Sequence, residues 1–464
     1  MQNLKKSFLA VAVLATGMLF SCKKTDVAQN NLAPASPDAP AGPVTASDRD
    51  TAAGYSRDIY LWNTQIPSSF SSSAYADLGA MMTGLRQYST EPGFSGPVDK
   101  WSFAVKKTDW DATASGSAGD FGLNVFFRTA NDLRVKHVEP ASPAGRAGVR
   151  RGWQIVKING SSNISTNNTS FVSQAVFQST SGSFTFVKPD NSQVTLNLNA
   201  GVYQERPVVL SKVINHEGRK VGYFVFNSFM GDTNAVFNEF RNSFSNFASA
   251  GIQDLVVDLR YNGGGYVTMQ EKLANYIAPS SASGNLMMRQ QFNARNSQYN
   301  ENTNFSKLGS LNLPRVFFIV SKSTASASEL LINNLKPYMN VVLVGPSPTH
   351  GKPVGFFPIP VKDWYIFPVS FKTVNKNGEG SYFGGIPVNA IVPDGLDKDW
   401  GDPSESALNA ALQYSVTGAF GMAGRSEETR TLTQDPQVRR GNEKLDEHTF
   451  KGEIDTRGMR PKKP

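Results

Sequence analysis

The chain has few cysteine and histidine residues, which form the disulfide bonds of small extracellular proteins and the ligands of metal sites. Its 464 residues include one cysteine and four histidines. A single cysteine cannot form a disulfide within the chain, so the folded part must be stabilised by burial of an apolar core. So few histidines with one thiol leave no cluster spaced for metal ligation. We therefore predict no metal and no cofactor.

A basic patch suited to nucleic acid is also missing. The chain has 46 basic and 38 acidic residues, a formal net charge of +8. No run of Lys or Arg is interleaved with aromatic residues, so we interpret the excess charge as solvated surface and predict no nucleic-acid partner. The length is sufficient for two or three domains, each with its own core.

The N-terminus carries a targeting pattern. Two lysines precede an apolar run, Phe8 to Phe20, that is too short to span a membrane and is typical of a secretory signal. The run ends in Leu19-Phe20-Ser21-Cys22, which resembles the lipobox of bacterial lipoproteins. The resemblance implies a signal peptide over residues 1–21 and a lipidated Cys22. It places the protein outside the cytoplasm, lipid-anchored to a bacterial membrane on a periplasmic or surface face. An ordinary secreted protein with an incidental thiol is the alternative.

Composition divides the rest of the chain. Residues 22–46 contain few large apolar side chains and predict a flexible tether. Residues 47–115 show two helical patterns, Thr51–Trp62 and Ala74–Tyr88, and predict a small helical N-terminal subdomain. Residues 419–464 are polar and predict a loosely ordered tail, in which the stretch from Phe450 to Met459 is the part able to dock.

Residues 116–203 alternate short strands with glycine turns and two short helices, a pattern that indicates a compact half-open barrel. The stretch from Ser142-Pro143-Ala144 to Ile158-Asn159-Gly160 resembles the core of a PDZ domain, with Trp153-Gln154 in place of its usual aspartate-containing turn. The resemblance implies that Gly122, Leu123, Asn124 and Val125 receive a peptide C-terminus as an added strand. A barrel kept only for packing is the alternative.

Residues 204–418 alternate apolar strands with helices, which predicts an α/β fold with partly parallel pairing. The stretch Trp364–Val374 is predicted to form one long strand. The other predicted strands and helices of this region are Val221–Phe229, Asn234–Ala248, Leu255–Leu259, Tyr266–Ile277, Val316–Val320, Ala325–Leu335 and Val341–Val344.

The best candidate nucleophile follows one of these strands. Ser326 lies among small residues where a helix begins, and the amide dipoles of a helix N-terminus favour developing negative charge. Lys352 follows the next strand, and a serine with a buried lysine as its base is a route to nucleophilic catalysis without histidine. The Gly263–Gly265 triplet follows a third strand. Taken alone it is compatible with a phosphate loop, an oxyanion hole or a tight turn.

These motifs in this order resemble the S41 family of C-terminal processing (tail-specific) peptidases over about residues 48 to 415. They are Asp258-Leu259-Arg260 with Asn262 and Gly264-Gly265, Ser323 to Glu329, Val344-Gly345 with Gly351-Lys352, and Gly385-Ile386-Pro387 with Asp402-Pro403. The resemblance implies a multidomain α/β protein with a ClpP/crotonase-like catalytic core.

The resemblance also implies roles for single residues. Ser326 would be the nucleophile and Lys352 its general base, with the backbone N–H groups of Gly264 and Ala327 as oxyanion donors. Ser328 and Glu329 would mainly cap the helix. The expected activity is that of a serine endopeptidase whose polypeptide substrates dock through their C-termini.

Two departures from the family pattern concern Lys352. The interval from Ser326 to Lys352 is one residue longer than usual, and Phe356 stands where many members carry a glutamine that orients the lysine. A non-catalytic protein that binds a peptide or apolar ligand on the same fold therefore stays open. A Ser-His-Asp hydrolase using His350 is disfavoured, because no Gly-x-Ser-x-Gly elbow is present.

Overall fold

The structure is a computed structural model and describes residues 44–421, 435–448 and 450–456. The predictions for the signal peptide, for Cys22 and for the tether up to residue 43 lie outside the described residues. Within the described part, no helix is both long and apolar enough to cross a membrane.

The N-terminal part is mainly helical. Its elements are α1 (Ala46–Ile59), α2 (Leu78–Leu85), β1 (Phe103–Lys106) and α3 (Lys107–Ser115). Thr45 and Asp48 begin α1 with a reciprocal capping box. The buried faces of α1 and α2 share one hydrophobic cluster with Phe356 and Phe367. This part of the chain therefore forms a wall of the same core that surrounds the segment after Lys352.

Residues 117–204 form a unit that we call the five-stranded unit. Its elements are β2 (Ser117–Ala118), β3 (Leu123–Thr129), β4 (Asp132–Val138), α4 (Pro143–Arg146), β5 (Gln154–Ile158), α5 (Thr169–Ser173), β6 (Ser181–Val187), β7 (Gln193–Asn199) and β8 (Tyr203–Gln204). Strands β3 to β7 form an antiparallel sheet in sequence order, and β2 pairs with β8 where the unit begins and ends. Alternate residues of β3 point into the core of the unit, as expected for a sheet with one buried face.

The α/β part follows. Its strands are β9 (Val208–His216), β10 (Arg219–Phe226), β11 (Asp254–Asp258), β12 (Gly264–Tyr266), β13 (Leu286–Phe292), β14 (Glu301–Asn304), β15 (Arg315–Ile319), β16 (Asn340–Gly345), β17 (Val354–Gly355), β18 (Ile359–Val361), β19 (Trp364–Phe367), β20 (Phe371–Asn375) and β21 (Ala390–Ile391). Its helices are α6 (Thr233–Ala250), α7 (Val267–Ile277), α8 (Ala327–Leu335) and α9 (Ser406–Thr417).

The central sheet has the strand order β21–β16–β15–β11–β10–β9. All neighbours are parallel except β9 and β10, which form an antiparallel hairpin. Helices α6, α7 and α8 cover one face through a phenylalanine-rich cluster, and α9 covers the other face. Burial on both faces explains why the chain is continuously apolar from Leu255 to Val257 in β11 and from Val316 to Ile319 in β15.

The single long strand predicted over Trp364–Val374 is wrong. The chain forms β19 and β20 instead, and they belong to different sheets. Pro368 lies between them, and proline supplies no backbone N–H for a ladder and disfavours a continuing central strand.

The prediction of a loosely ordered tail over residues 419–464 is wrong for residues 435–448, whereas the docking expected from Phe450 onward is confirmed for residues 452–454. Residues 435–448 and 450–456, which we call the C-terminal segment, contain α10 (Pro436–Leu445) and β22 (Gly452–Ile454). Val438 and Leu445 of α10 are buried in the core of the five-stranded unit. Strand β22 pairs in parallel with β12. The few apolar residues of this segment are therefore sufficient because they fill existing grooves.

Candidate active site

Three loops meet at one edge of the central sheet. They follow β11, β15 and β16, which are adjacent parallel strands. Because the carboxyl ends of adjacent parallel strands lie at the same edge, the Gly263–Gly265 triplet, Ser326 and Lys352 are brought to one side of the sheet. The sheet topology thus collects the residues that the motifs singled out.

Ser326 sits at the junction between β15 and α8 in a strained backbone conformation. Its φ angle is +58°, in the left-handed region that favours glycine. The side chain is fully buried, and its Oγ has no hydrogen-bond partner among the described residues. Such backbone strain costs about 1–3 kcal/mol and persists only where the surroundings impose it.

Glu329 imposes this geometry. Its fully buried carboxylate accepts hydrogen bonds from the backbone N–H groups of Ser326 (2.8 Å), Gly351 (2.6 Å) and Lys352 (2.8 Å). It also accepts a bond from Thr349 Oγ1 at 2.5 Å. Burial raises the pKa of Glu329, whereas these four donors act in the opposite direction. One carboxylate therefore joins the loop that carries the candidate nucleophile to the loop that carries the candidate base.

The glycine loop is tied to the Ser326 loop by the polar residues of its own motif. Asn262 O accepts bonds from the Ala325 N–H (3.0 Å) and from Ser328 Oγ (3.1 Å). Thr324 Oγ1 donates to Leu259 O at 2.8 Å. Ser328 is thus a cross-link between the two loops, a role beyond the helix capping expected from the sequence.

A buried ionic cluster anchors the start of the glycine loop. Arg260 is almost fully buried and pairs with Asp258 (2.7 Å), Glu405 (2.8 Å) and Asp394 (3.2 Å). Arg151 of the five-stranded unit pairs with the same Asp394 at 2.6 Å. The cluster therefore links that unit to the strand end that begins the glycine loop.

The two predicted oxyanion donors lie next to each other. Gly264 has a φ of +104°, and a Cβ at this position would lie 3.0 Å from the Ala327 amide nitrogen, so the backbones can approach only because residue 264 is glycine. The Gly264 N–H donates to Asn262 Oδ1 at 2.9 Å. In this arrangement the predicted donor Gly264 is therefore already occupied.

Lys352 is fully buried, and its Nζ has no hydrogen-bond partner within the described part of the chain. Burial lowers its pKa to about 7, opposed by the negative charges of Glu453, Asp99 and Glu329. The Nζ lies 3.8 Å from the centre of the Phe356 ring. A ring face attracts a cation, but the loss of hydration has the larger effect and favours the neutral amine.

His350 lies at the rim of this site. Its Nε2 accepts a hydrogen bond from Trp101 Nε1 at 3.0 Å, so the proton of the neutral ring belongs on Nδ1. Burial, followed by the positive charges of Lys451 and Lys322, lowers the pKa of His350 to about 3. The imidazole is therefore neutral at physiological pH and is engaged by an indole.

Two contributors to the site come from distant parts of the chain. Trp101 places its ring 5.8 Å from Lys352 Nζ. Glu453 of the C-terminal segment is fully buried; one of its oxygens accepts from Thr373 Oγ1 at 2.7 Å, and Oε2 has no partner among the described residues. Burial raises the pKa of Glu453, and the charge of Lys352 lowers it. Sequence reasoning missed both residues, because neither belongs to a local motif.

The predicted peptide-binding residues lie at the start of β3. Gly122 has a φ of +74°, and its N–H donates to Asp120 Oδ1 at 2.6 Å. Leu123 and Val125 are buried, and Asn124 is half-buried. The residues that line a cavity of about 530 Å³ include Leu123, Asn124, Gly263 and Gly264. This cavity connects the predicted docking strand with the glycine loop.

No group of three or more His, Cys, Asp or Glu side chains suited to a metal ion occurs in residues 44–421 or in the described C-terminal segment.

We expect Glu329→Gln to lower the free energy of unfolding by about 1.5–3 kcal/mol, because each carboxylate oxygen accepts two hydrogen bonds and the amide nitrogen that replaces one oxygen cannot accept from a backbone N–H. Urea unfolding would measure the change. Glu443→Gln is the matched control, since this exposed carboxylate of α10 makes only a 3.9 Å ion pair with Arg439. Its effect should stay within about 0.5 kcal/mol. Equal stability of the two variants would contradict a structural role for the Glu329 carboxylate.

Comparisons with known proteins bear on the family and on the fold. Probable CtpA-like serine proteases of several Staphylococcus aureus strains are 26% identical over 264 residues, which is 55% of this chain and 49% of each relative. The chain thus spans about half the length of the curated relatives it matches. A solved structure of a Bacteroides fragilis protein assigned as an S41 protease is 23% identical with a TM-score of 0.62, covering 78% of this chain and 96% of that one. It supports the fold. Residues 220–391 match the family model of peptidase family S41. This chain therefore carries a peptidase family S41 domain, which includes the glycine loop, Ser326 and Lys352.

Proposed function

We propose that this protein is a serine endopeptidase that cleaves polypeptides with Ser326 as nucleophile and Lys352 as general base. One observation carries the proposal. A hydroxyl and an amine, both fully buried and both without a hydrogen-bond partner among the described residues, sit on loops that the Glu329 carboxylate joins. Buried polar atoms are usually paired, so two unpaired ones on loops that one carboxylate joins support their assignment as a reacting pair.

The chemistry assigns a step to each group. The neutral Lys352 amine takes the proton of Ser326 Oγ as the oxygen attacks the scissile carbonyl carbon. The carbonyl oxygen becomes an oxyanion, and we assign the Ala327 N–H at the start of α8 as its hydrogen-bond donor. The C–N bond then breaks, and Lys352 returns the proton to the leaving amine. Water hydrolyses the acyl-enzyme with Lys352 again as base.

A non-catalytic binding protein is the second candidate. The Phe356 ring lies against Lys352 Nζ, where the family glutamine would donate or accept a hydrogen bond. A lysine held only by packing would suit a binding pocket. The covalent test below separates the two candidates, because a binding protein would leave Ser326 unmodified.

We expect a fluorophosphonate probe to modify Ser326, with a rate that rises as pH increases through about 7, where Lys352 loses its proton. The sign follows from the lowered pKa: the reactive neutral amine predominates above that value. If the pKa of Lys352 were that of an ordinary lysine, the labelling rate would instead rise at a pH of about 10.4. Intact-mass spectrometry across pH measures the rate, and hydrolysis of an unstructured protein is measured in parallel.

Ser326→Ala should abolish labelling and hydrolysis, and Lys352→Ala should lower both by at least about 10²-fold, the scale of a general base. His350→Asn is the matched control. His350 is neutral throughout this pH range, so the rise in rate should keep its midpoint. A midpoint that vanished in His350→Asn, or hydrolysis unchanged in Ser326→Ala, would exclude the Ser326–Lys352 pair.

We further propose that substrates are recognised through their C-termini by the β3 region of the five-stranded unit, which resembles a PDZ domain. Two features support this. The Gly122–Val125 stretch begins an edge strand, which can accept an added strand. The 530 Å³ cavity extends from this stretch to the glycine loop.

Peptides with a free C-terminal carboxylate should then be cleaved faster than the same peptides with an amidated C-terminus. Gly122→Ala should reduce this preference, because its Cβ would collide with the Ser142 side chain. Gly148→Ala is the matched control: it has the same positive φ strain but open space around the added Cβ. Comparison of kcat/KM for both peptides measures the effect. Equal rates for the two peptides with the unsubstituted chain would refute C-terminal recognition.

The membrane anchor rests on the lipobox resemblance around Cys22, and we propose that this residue is lipidated. An alkyne fatty acid fed to bacteria expressing the full chain should be incorporated into the protein. Incorporation should disappear in Cys22→Ser, whose hydroxyl cannot form the thioether. Fatty acid retained in Cys22→Ser, or missing from the unsubstituted chain, would argue against the anchor.

A further inference from the structure

The C-terminal segment lies against β3 just after the Gly122–Val125 stretch and against the glycine loop, the two regions where the proposed function needs a foreign polypeptide. Its helix α10 lies along the edge strand β3: Asn442 Oδ1 accepts the Phe127 N–H at 2.7 Å, and Asn442 Nδ2 donates to Phe127 O at 2.9 Å. On the other side Lys444 Nζ donates to Ser170 Oγ of α5 at 2.6 Å. The groove between β3 and α5 is therefore filled by the chain itself.

The strand β22 is inserted between the glycine loop and the segment after Lys352. The Gly452 N–H donates to Gly263 O at 3.0 Å. On its opposite edge, Glu453 O accepts from the Phe356 N–H at 3.0 Å, and the Asp455 N–H donates to Phe356 O at 3.2 Å. The strand is thus hydrogen-bonded on both sides, in the manner of a bound extended peptide.

The Gly452 carbonyl of this strand lies beside Gly264. A Cβ at Gly264 would collide with the Gly452 carbonyl oxygen and would lie 3.0 Å from the Ala327 amide nitrogen. The two groups therefore flank the same small space. In addition, Phe450 forms part of the wall of the 530 Å³ cavity, whereas Ser326 and Lys352 are fully buried and absent from the described residues that line it.

A third contact holds the segment between these two places. Asp446 pairs with Lys136 of β4 at 2.7 Å and accepts a hydrogen bond from Ser323 Oγ, three residues before Ser326. The carboxylate is largely buried, and Lys136 and Lys451 lower its pKa to about 2 despite that burial. The segment is therefore fixed to the five-stranded unit, to the nucleophile loop and to the glycine loop at once.

We propose that the C-terminal segment is an internal occupant of two places: the groove between β3 and α5, and the space between the glycine loop and Phe356, which we call the slot. A polypeptide substrate then reaches Ser326 only when this segment is displaced. The inference rests on the proposed function, because it explains how a peptidase with a sealed site is held inactive. Glu453 contributes by placing a carboxyl group near Lys352, where negative charge favours the protonated, unreactive amine.

The test compares three proteins: the full chain, a chain ending at Gln434, and the full chain with Gly441→Leu and Asn442→Ala. The double variant keeps every residue of the slot but loosens α10, since a Cβ at Gly441 would lie 3.0 Å from Thr166 Cγ2 and the Asn442 bonds to β3 are lost. Arg440→Ala, on the exposed side of the same helix, is the matched control.

Both altered proteins should react with the fluorophosphonate roughly tenfold faster or more, as expected when the open form of the full chain is populated at about a tenth or less. Arg440→Ala should react like the full chain. A synthetic peptide of residues 435–456 should slow the truncated chain again, and a scrambled peptide should not. If truncation unfolds the protein, as judged by circular dichroism, the labelling rate of the double variant tests the proposal instead.

Other outcomes overturn the inference without touching the proposed function. Equal labelling of all proteins would show that the segment does not restrict access. Slower labelling of a folded truncated chain or of the double variant would make the segment part of the working site. Absence of Ser326 labelling in every protein would instead overturn the proposed function. In that case, calorimetric binding of the 435–456 peptide to the truncated chain would still reveal whether the segment is a displaceable occupant.

Discussion

The Glu329 carboxylate is the constraint on which the candidate site depends. It lies in the first turn of α8 and accepts hydrogen bonds from the N–H groups of Ser326, Gly351 and Lys352. Without it, the strained φ of Ser326 and the loop before Lys352 would each relax independently, because each loop follows a different strand. A single buried acceptor therefore sets the relative position of two reactive groups that are 26 residues apart in the sequence.

Burial of Lys352 among aromatic side chains makes the charged form of its amine costly. A fully buried ammonium ion without a partner would cost several kcal/mol, and loss of its proton avoids this cost. Trp101 and Phe356 exclude water from the amine, and their rings also offer a weak site for a cation. The surroundings of the amine therefore act in two directions: exclusion of water favours its neutral form, and the ring faces favour its charged form. Burial has the larger effect and lowers the pKa of Lys352, whereas the negative charge of Glu453 opposes it and favours the charged form.

The parts of the site that local sequence could predict are those built from one strand and the loop after it. Ser326, Lys352 and the Gly263–Gly265 triplet each follow an apolar strand, and the parallel sheet brings those strand ends together. Trp101 could not be predicted, because it meets His350 across 249 residues without a shared pattern. The docking of α10 could not be predicted from the sequence for a different reason. Its buried residues are sparse, and only the groove beside β3 makes them sufficient.

The slot between the glycine loop and Phe356 has backbone donors and acceptors on both sides, and leaving such edges unpaired is costly. Strand β22 satisfies them within the chain. A polypeptide that replaced it would form the same kinds of backbone bonds, so those bonds alone yield little net gain. The internal strand also competes at the high effective concentration of a tethered ligand. Selectivity must therefore come from contacts that a substrate makes and β22 lacks. The cavity leading to Gly122–Val125 offers such contacts, because it extends beyond the slot to a second docking edge.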